Sequence, residues 1–523
     1  MTPKLDSNVQ RAEKAYDLRK RQAKFQLDLP LPGHPNNGDE GLYAKKIANY
    51  SKGLLHNNLG EVDLMAYQKL VDALTTGKPS DFEDIPMGSP DPRKLVNPQS
   101  GLCFDLAGAD SHHLTMPAPP VFSGAEQAGE MVENYWMALT RDVPFTRYST
   151  DPLTIAAAAD LSKLSDFRGP KAAGKVTTGT LFRGMTPGDL AGPYLSQFML
   201  KSAQFGAEVI DQRITTTTAN LDFMTTYNQW LEVQKGMKQP ANTFDAITRF
   251  IRNGRDISQF VHIDVLFQGY FDACLILGEP VSAGGVGAPL NPGNPYRDSK
   301  NQEGFGTFGP PHIKGVIAEA AVRALKAVWY QKWFVHRRLR PEVFAGRIHN
   351  KLAHPVDANY PIHHDVLSSG ALAKIQATFG GVSLLPMAFT EGSPLHPSYG
   401  AGHATVAGAC VTILKWFFDE TSPVVNPQEA NPTGNPATDG TTLRNYTGPD
   451  KDTLTVGGEL NKLAANIAIG RNHSGVHWRS DYAESLRLGE AVAIATLEDF
   501  RETVTEDFEG CTFTKFDGTL VTV

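Results

Sequence analysis

The feature that most constrains the fold of this 523-residue chain is a helical hydrophobic rhythm that sets in near Gly124 and recurs almost to the C-terminus. In EQAGEMVENYWMALTRD, PYLSQFMLKSAQFGAEVIDQR, NTFDAITRFIRNGRD and VHIDVLFQGYFDACLILG, apolar residues return every three or four positions. That spacing lines one face of an α-helix, whereas a strand requires alternation. A longer run, HIKGVIAEAAVRALKAVWYQKWFVHRRL, predicts a long helix ended by Pro341, because a proline ring disfavours helical backbone at the residue before it. HATVAGACVTILKWFFDE predicts a buried helix starting near His403, and GGELNKLAANIAIG and SDYAESLRLGEAVAIATLEDFRE predict two more. Strand patterns are limited to pieces such as the tail TFTKFDGTLVTV. The expected class is mainly α, a helical-bundle core with few short strands.

The rhythm also divides the chain. Residues 1–120 are rich in Pro, Gly and Asn, with short helical patches such as VDLMAYQKLVDAL, and read as an irregular arm or outer layer suited to contacts between copies. Residues 121–505 form the expected helical catalytic body, and 506–523 a tail. Two long loops interrupt the body, a Gly/Pro-rich one at 281–311 and a polar one at 421–450; loops of that length are commonly functional or disordered. A net charge of −7 with no basic stripe argues against a nucleic-acid partner. The charged N-terminus lacks the apolar run of a signal peptide, and no stretch approaches the ~18 apolar residues of a membrane span, so a soluble chain is expected, with its compartment open. Four cysteines at irregular spacing contain no CxxC pair, which indicates neither zinc nor a redox dithiol. Cys274 and Cys410 sit in apolar helical patterns and read as buried thiols, while Cys103 and Cys511 lie near loops, where a disulfide is one option.

Three polar clusters break the apolar pattern. In the first, Lys332 and Arg340 lie eight residues apart, a little over two helical turns, so both can face one side. Taken alone this is weak, and His336, Arg337 and Arg338 read as a solvated face. In the second, His396-Pro-Ser-Tyr-Gly-Ala-Gly402-His403 runs from a proline-rich loop into a helix, whose N-terminal amides suit an oxyanion. In the third, Arg471 and His477 bracket a short loop between two helices, and Asp481, with Ser480, reads as the cap of the second. Together the clusters offer cations, imidazoles and a helix N-terminus, a set that suits a tetrahedral oxyanion such as phosphate or vanadate. One histidine would serve as acid/base and the other as nucleophile or metal ligand.

In this order and spacing the clusters resemble the signature shared by vanadium haloperoxidases and the type 2 phosphatidic-acid-phosphatase superfamily. The seven residues between Lys332 and Arg340, the run HPSYGAGHATVAGA and the run GRNHSGVHWRSD resemble the algal and cyanobacterial bromoperoxidase branch; the likeness covers about residues 120–505. The resemblance implies a pair of four-helix bundles. It implies that His477 bonds vanadium and that Lys332, Arg340, Arg471 and the Gly402 backbone hold vanadate oxygens. It implies His403 as acid/base beside the apical oxygen, Lys332 as donor to bound peroxide, and His396 in a halide pocket that favours bromide. Asp272, in GYFDACL, is expected either to pair with Arg471 from a neighbouring helix or to lie on a helix surface. Many members carry serine before Gly-His, where this chain has Ala401, so one hydroxyl donor is missing. The implied reaction is oxidation of bromide or iodide by hydrogen peroxide to hypohalous acid, which halogenates small organic nucleophiles. An acid phosphatase on the same site is the alternative. A homo-oligomer is expected, the dodecamer favoured over the dimer, and Asp298 and Gln302 are weak candidate calcium donors.

Overall fold

The computed structural model describes residues 7–523. Among these, sixteen α-helices carry the architecture, and eight short strands form only four antiparallel pairs. At the centre lies helix Gly402–Phe417, in which every residue except His403 is buried. It packs against helices Pro310–Tyr330, Val456–His473 and Arg479–Arg501. Its crossing with Arg479–Arg501 is possible only because both helices carry glycine there. A Cβ on Gly408 would stand 2.1 Å from the Leu486 carbonyl, and one on Gly489 would stand 1.9 Å from the Thr405 carbonyl.

Helix Pro310–Tyr330 opens with prolines in its first turn, where a missing N–H costs nothing, and buries Ile313, Ile317, Ala320, Ala321, Ala324, Ala327 and Val328 on one stripe. The chain then widens into a π-helical turn at Gln331–His336, which contains Lys332, and stops at Arg337 in the left-handed region. Pro341 does not end this helix directly; it opens the next one, Pro341–Ala353, with Arg340 extended before it. His336 and Arg338, expected on a solvated face, are buried at 7% and 3% exposure, and Arg337 is partly buried against Glu40. The helices read from HATVAGACVTILKWFFDE, GGELNKLAANIAIG and SDYAESLRLGEAVAIATLEDFRE are present, as is a hairpin of Thr512–Thr514 with Leu520–Thr522 in the tail.

Three segments depart from the helical reading. PYLSQFMLKSAQFGAEVIDQR forms a 3-10 turn and a hairpin of Ala203–Phe205 with Glu208–Ile210, turned by Gly206 at φ 62°. In NTFDAITRFIRNGRD, Phe244–Arg249 is a strand paired with the β-branched run Ile214–Thr217, and a helix begins only at Gly254, capped by Asn253. VHIDVLFQGYFDACLILG is not one helix: Gly254–Ile263 and Gln268–Gly278 meet at a 100° bend, with Asp264 at the corner. The N-terminal region is not irregular throughout either, since Asn8–Asp28 is a helix with a Ser7/Gln10 capping box and no buried residue. All four cysteines are free thiols: Cys274, Cys410 and Cys511 are buried and Cys103 is exposed, so Cys103 and Cys511 are not bridged. Among the described residues no single helix is long and apolar enough to cross a membrane.

Candidate active site

The polar clusters converge on one cavity of about 820 Å³, whose wall includes His396, Gly402, His403, Arg471, His477 and Trp329. Arg471 and His477 arrive from the C-terminus of helix Val456–His473 and the turn after it. Gly402 and His403 form the first turn of the central helix, where backbone amides have no intrahelical acceptor. Its N-cap, Ala401, has no side chain to satisfy them, and the Ala401 amide donates instead to Ser485 Oγ at 2.8 Å.

His477 is fixed at both nitrogens. Nδ1 lies 2.7 Å from Asp481 Oδ2 and Nε2 lies 3.0 Å from an Arg340 guanidinium nitrogen. A carboxylate accepts only and a guanidinium donates only, so the proton belongs on Nδ1 and the Nε2 lone pair is left as the ligating atom. Arg340 also donates to the His396 carbonyl at 2.9 Å and to the Val476 carbonyl at 2.7 Å, and one of its nitrogens lies 3.0 Å from His396 Nδ1. Lys332 Nζ donates to the Pro397 and Ser398 carbonyls at 2.7 and 2.9 Å. Arg471 donates to the Val261 carbonyl at 2.6 Å, and its buried Nε has no partner. Thus, among the described residues, these three cations rest on carbonyls and imidazoles rather than on carboxylates. Burial, with the charges of Arg340 and Arg471, pushes the Lys332 ammonium well below the usual lysine range. Burial alone dominates in pushing Arg340 and Arg471 down to about 10. Burial and the same cations hold His396 and His477 well below the imidazole range, so both rings are neutral.

Concentrated positive charge, an unpartnered buried guanidinium nitrogen, an unprotonated imidazole nitrogen and a helix N-terminus fit a bound tetrahedral oxyanion. His403 is less enclosed than His396 and His477. It is only partly buried, with its side chain 18% exposed, and its Nε2 lies 2.9 Å from Asp264 Oδ1. Burial opposes ionisation of Asp264, yet the neighbouring His403 and Arg471 hold its carboxyl below the usual range. His396 packs against the Trp329 ring, centroid to centroid at 4.8 Å, and the Trp329 indole N–H donates to the Val96 carbonyl. On the same wall, His262 lies 2.8 Å from Glu391 and stacks on Phe389.

Five of the seven residues singled out in the sequence line the cavity; Arg340 lies behind them against His396 and His477, and Lys332 against the Pro397 and Ser398 carbonyls, and several expected partners differ. Asp272 does not pair with Arg471; burial pushes its carboxyl up to about 6, and only Gln212 and Gln268 offset this. The carboxylates that offset Arg471 are Asp264 and Glu391. Ser480 and Asp481 are not the N-cap, which is Trp478; Asp481, third in helix Arg479–Arg501, accepts back from the Trp478 amide at 3.2 Å, and the same oxygen lies 2.7 Å from His477 Nδ1, four residues earlier. Sequence reasoning missed Asp264, and the i, i+4 spacing of His477 and Asp481 was the available signal for the second carboxylate. Asp298 and Gln302 lie on an exposed loop.

Fold and site together define a class: helical-bundle proteins that hold an oxyanion against a buried histidine. The family model described as the VCPO second helical-bundle domain matches residues 315–506. The chain is 35% identical to a vanadium-dependent bromoperoxidase of Corallina pilulifera, with 99% of each chain covered. It is 34% identical to one of Ascophyllum nodosum, covering 95% of this chain and 90% of that one. The solved homohexameric structure of the second vanadate-dependent bromoperoxidase of Ascophyllum nodosum superposes with a TM-score of 0.92 at 32% identity, over 99% of this chain and 91% of that one. The chain belongs to the vanadium-dependent bromoperoxidase family.

Proposed function

We propose that this chain uses hydrogen peroxide to oxidise bromide, and iodide, with vanadate as its cofactor. The balanced reaction is bromide plus peroxide plus one proton, giving hypobromous acid and water. The hypohalous acid then halogenates small organic nucleophiles. The observation that carries this reading is His477 Nε2 set near three buried cations that, among the described residues, hydrogen-bond to carbonyls and imidazoles and to no carboxylate.

In this reading His477 Nε2 is the vanadium ligand, and Lys332, Arg340, Arg471 and the Gly402 amide hold the oxygens. Bound vanadate supplies a Lewis-acid centre that activates peroxide toward halide. His403 moves the protons that the reaction takes up and redistributes, with Asp264 holding its ring. Lys332 serves as a fixed, buried donor to the polarised oxygen. His396 and Trp329 form the halide side of the pocket. A homo-oligomer fits the homohexameric state of the Ascophyllum relative, which favours a hexamer over a dodecamer.

The test is reconstitution of vanadate-free protein, assayed for bromination of a chromogenic diketone with peroxide and bromide, and for hydrolysis of a phosphate ester. Bromination that appears only with added orthovanadate supports the reading. Phosphatase activity that orthovanadate inhibits, with no bromination, would replace it by the phosphatase alternative.

A further inference from the structure

His477 sits at the end of a buried row of alternating charges that the reaction itself does not use. Asp481, fully buried, gives Oδ2 to His477 and accepts at Oδ1 from Arg338 at 2.9 Å. The Arg338 guanidinium, 2% exposed, turns its other terminal nitrogen to Glu130 Oε2 at 2.7 Å and to Gln127 Oε1 at 2.7 Å. Its plane is gripped from the sides, with the Trp478 ring 5.0 Å and the Tyr399 ring 5.9 Å away. The second Glu130 oxygen accepts from the Ser480 amide, at the start of the helix that carries Asp481. Helix Ala125–Leu139 is thereby joined through Arg338 to the orienter of the histidine.

From this geometry we infer that Glu130 and Arg338 are positioning residues for the His477 imidazole. They set how tightly the site holds an oxyanion, although neither touches the cavity. The penalty for burying a carboxylate as deeply as that of Asp481 is offset by a paired cation. Arg338 supplies it, but unopposed it would draw Asp481 off His477 and add to the positive charge of Lys332, Arg340 and Arg471. Glu130 offsets Arg338 and fixes the guanidinium from the far side, while Asp481 Oδ2 accepts from His477, the Ser398 hydroxyl and the Trp478 amide. A group hydrogen-bonded to a metal-binding histidine, the position Asp481 holds, typically changes metal affinity by about 10–100-fold, and Glu130 and Arg338 act through it.

This inference rests on the vanadate reading of the site, and its test is separable from it. Orthovanadate affinity is measured by equilibrium dialysis, with thermal stability of the vanadate-free protein recorded in parallel, for wild type, Glu130→Gln, Arg338→Lys, Asp481→Asn and the Glu130→Gln/Asp481→Asn double variant. Glu130→Gln is expected to weaken orthovanadate binding about tenfold. In the Asp481→Asn background that loss should shrink to less than about threefold, because the path through Asp481 is already cut. Arg338→Lys keeps the charge but not the two-sided bridge and should weaken binding by a similar factor. Unchanged affinity in Glu130→Gln, or equal losses in both backgrounds, would overturn the inference, whatever the thermal shift. Absence of orthovanadate binding by the wild type would instead overturn the vanadate reading.

Discussion

Ala401 lies where many members of the family have serine, and Ala401→Ser tests the geometry around the helix N-terminus. Ala401 is the N-cap of helix Gly402–Phe417, is 1% exposed, and offers no side-chain acceptor to the first-turn amides. Its carbonyl is already occupied, accepting from the Thr405 amide at 3.0 Å and the Thr405 hydroxyl at 2.9 Å. A serine oxygen there can accept from the first turn, a cap worth about 1 kcal/mol. In a chain of this size that raises Tm by under about 2 °C. The hydroxyl proton remains available to a bound oxyanion. A hydrogen bond to a charged acceptor contributes about 1.5–3 kcal/mol, which corresponds to roughly ten- to hundredfold tighter binding. Equilibrium dialysis against orthovanadate, with calorimetry of the vanadate-free protein, reads both terms. A higher Tm with an unchanged dissociation constant would show that position 401 caps the helix without facing the oxyanion, and would refute this placement of the cofactor.

Other perturbations separate the remaining roles. Asp264→Asn removes the carboxylate 2.9 Å from His403 and is expected to lower bromination kcat at least about tenfold while changing orthovanadate affinity less than about threefold; equal losses in steady-state and dialysis measurements would mean that Asp264 serves binding instead. Lys52, buried at 1% exposure and 2.6 Å from Glu342, also donates to the Glu391 and Ser393 carbonyls, so Lys52→Met strands a buried carboxylate and should cost about 3–5 kcal/mol in urea unfolding; a loss under about 1 kcal/mol would contradict the ion pairing. At Glu391, burial opposes ionisation, but the hydrogen bond from His262 and nearby cations hold the carboxyl down to about 2. A depressed carboxyl stabilises the fold above its unfolded pKa of about 4.3 and loses that contribution as pH falls through the folded value. Glu391→Gln should therefore flatten the pH dependence of stability between those two values, and an unchanged acid limb in unfolding measurements would refute it.

Much of the site was legible because oxyanion binding demands particular side chains at fixed places on helices. The Lys332/Arg340, Gly402/His403 and Arg471/His477 pairs each lie close together in sequence, so their spacing survives without the fold. Their supporting partners do not. Asp264 and Glu130 reach the site from more than a hundred residues away, with neighbours in sequence that resemble ordinary amphipathic helix, whereas Arg338, two residues before Arg340, reads as a solvated face because its partners Glu130 and Asp481 lie far off in sequence. Asp264 was hidden because VHIDVLFQGYFDACLILG keeps a helical rhythm through a 100° corner. The strand pairs at 203–210 and 214–249 were missed for a related reason: strands of three to six residues are too short to establish an alternating pattern against the three-to-four spacing of their flanks.

The central claim is that His477 Nε2 holds vanadate among Lys332, Arg340, Arg471 and His403. The most direct measurement is a crystal structure of the orthovanadate-loaded protein with vanadium located by anomalous scattering, beside a His477→Ala crystal treated identically. The account predicts a single vanadium peak within bonding distance of His477 Nε2 in the wild type, and no such bonded vanadium in His477→Ala. A wild-type peak away from His477, in crystals of protein that brominates, would contradict it.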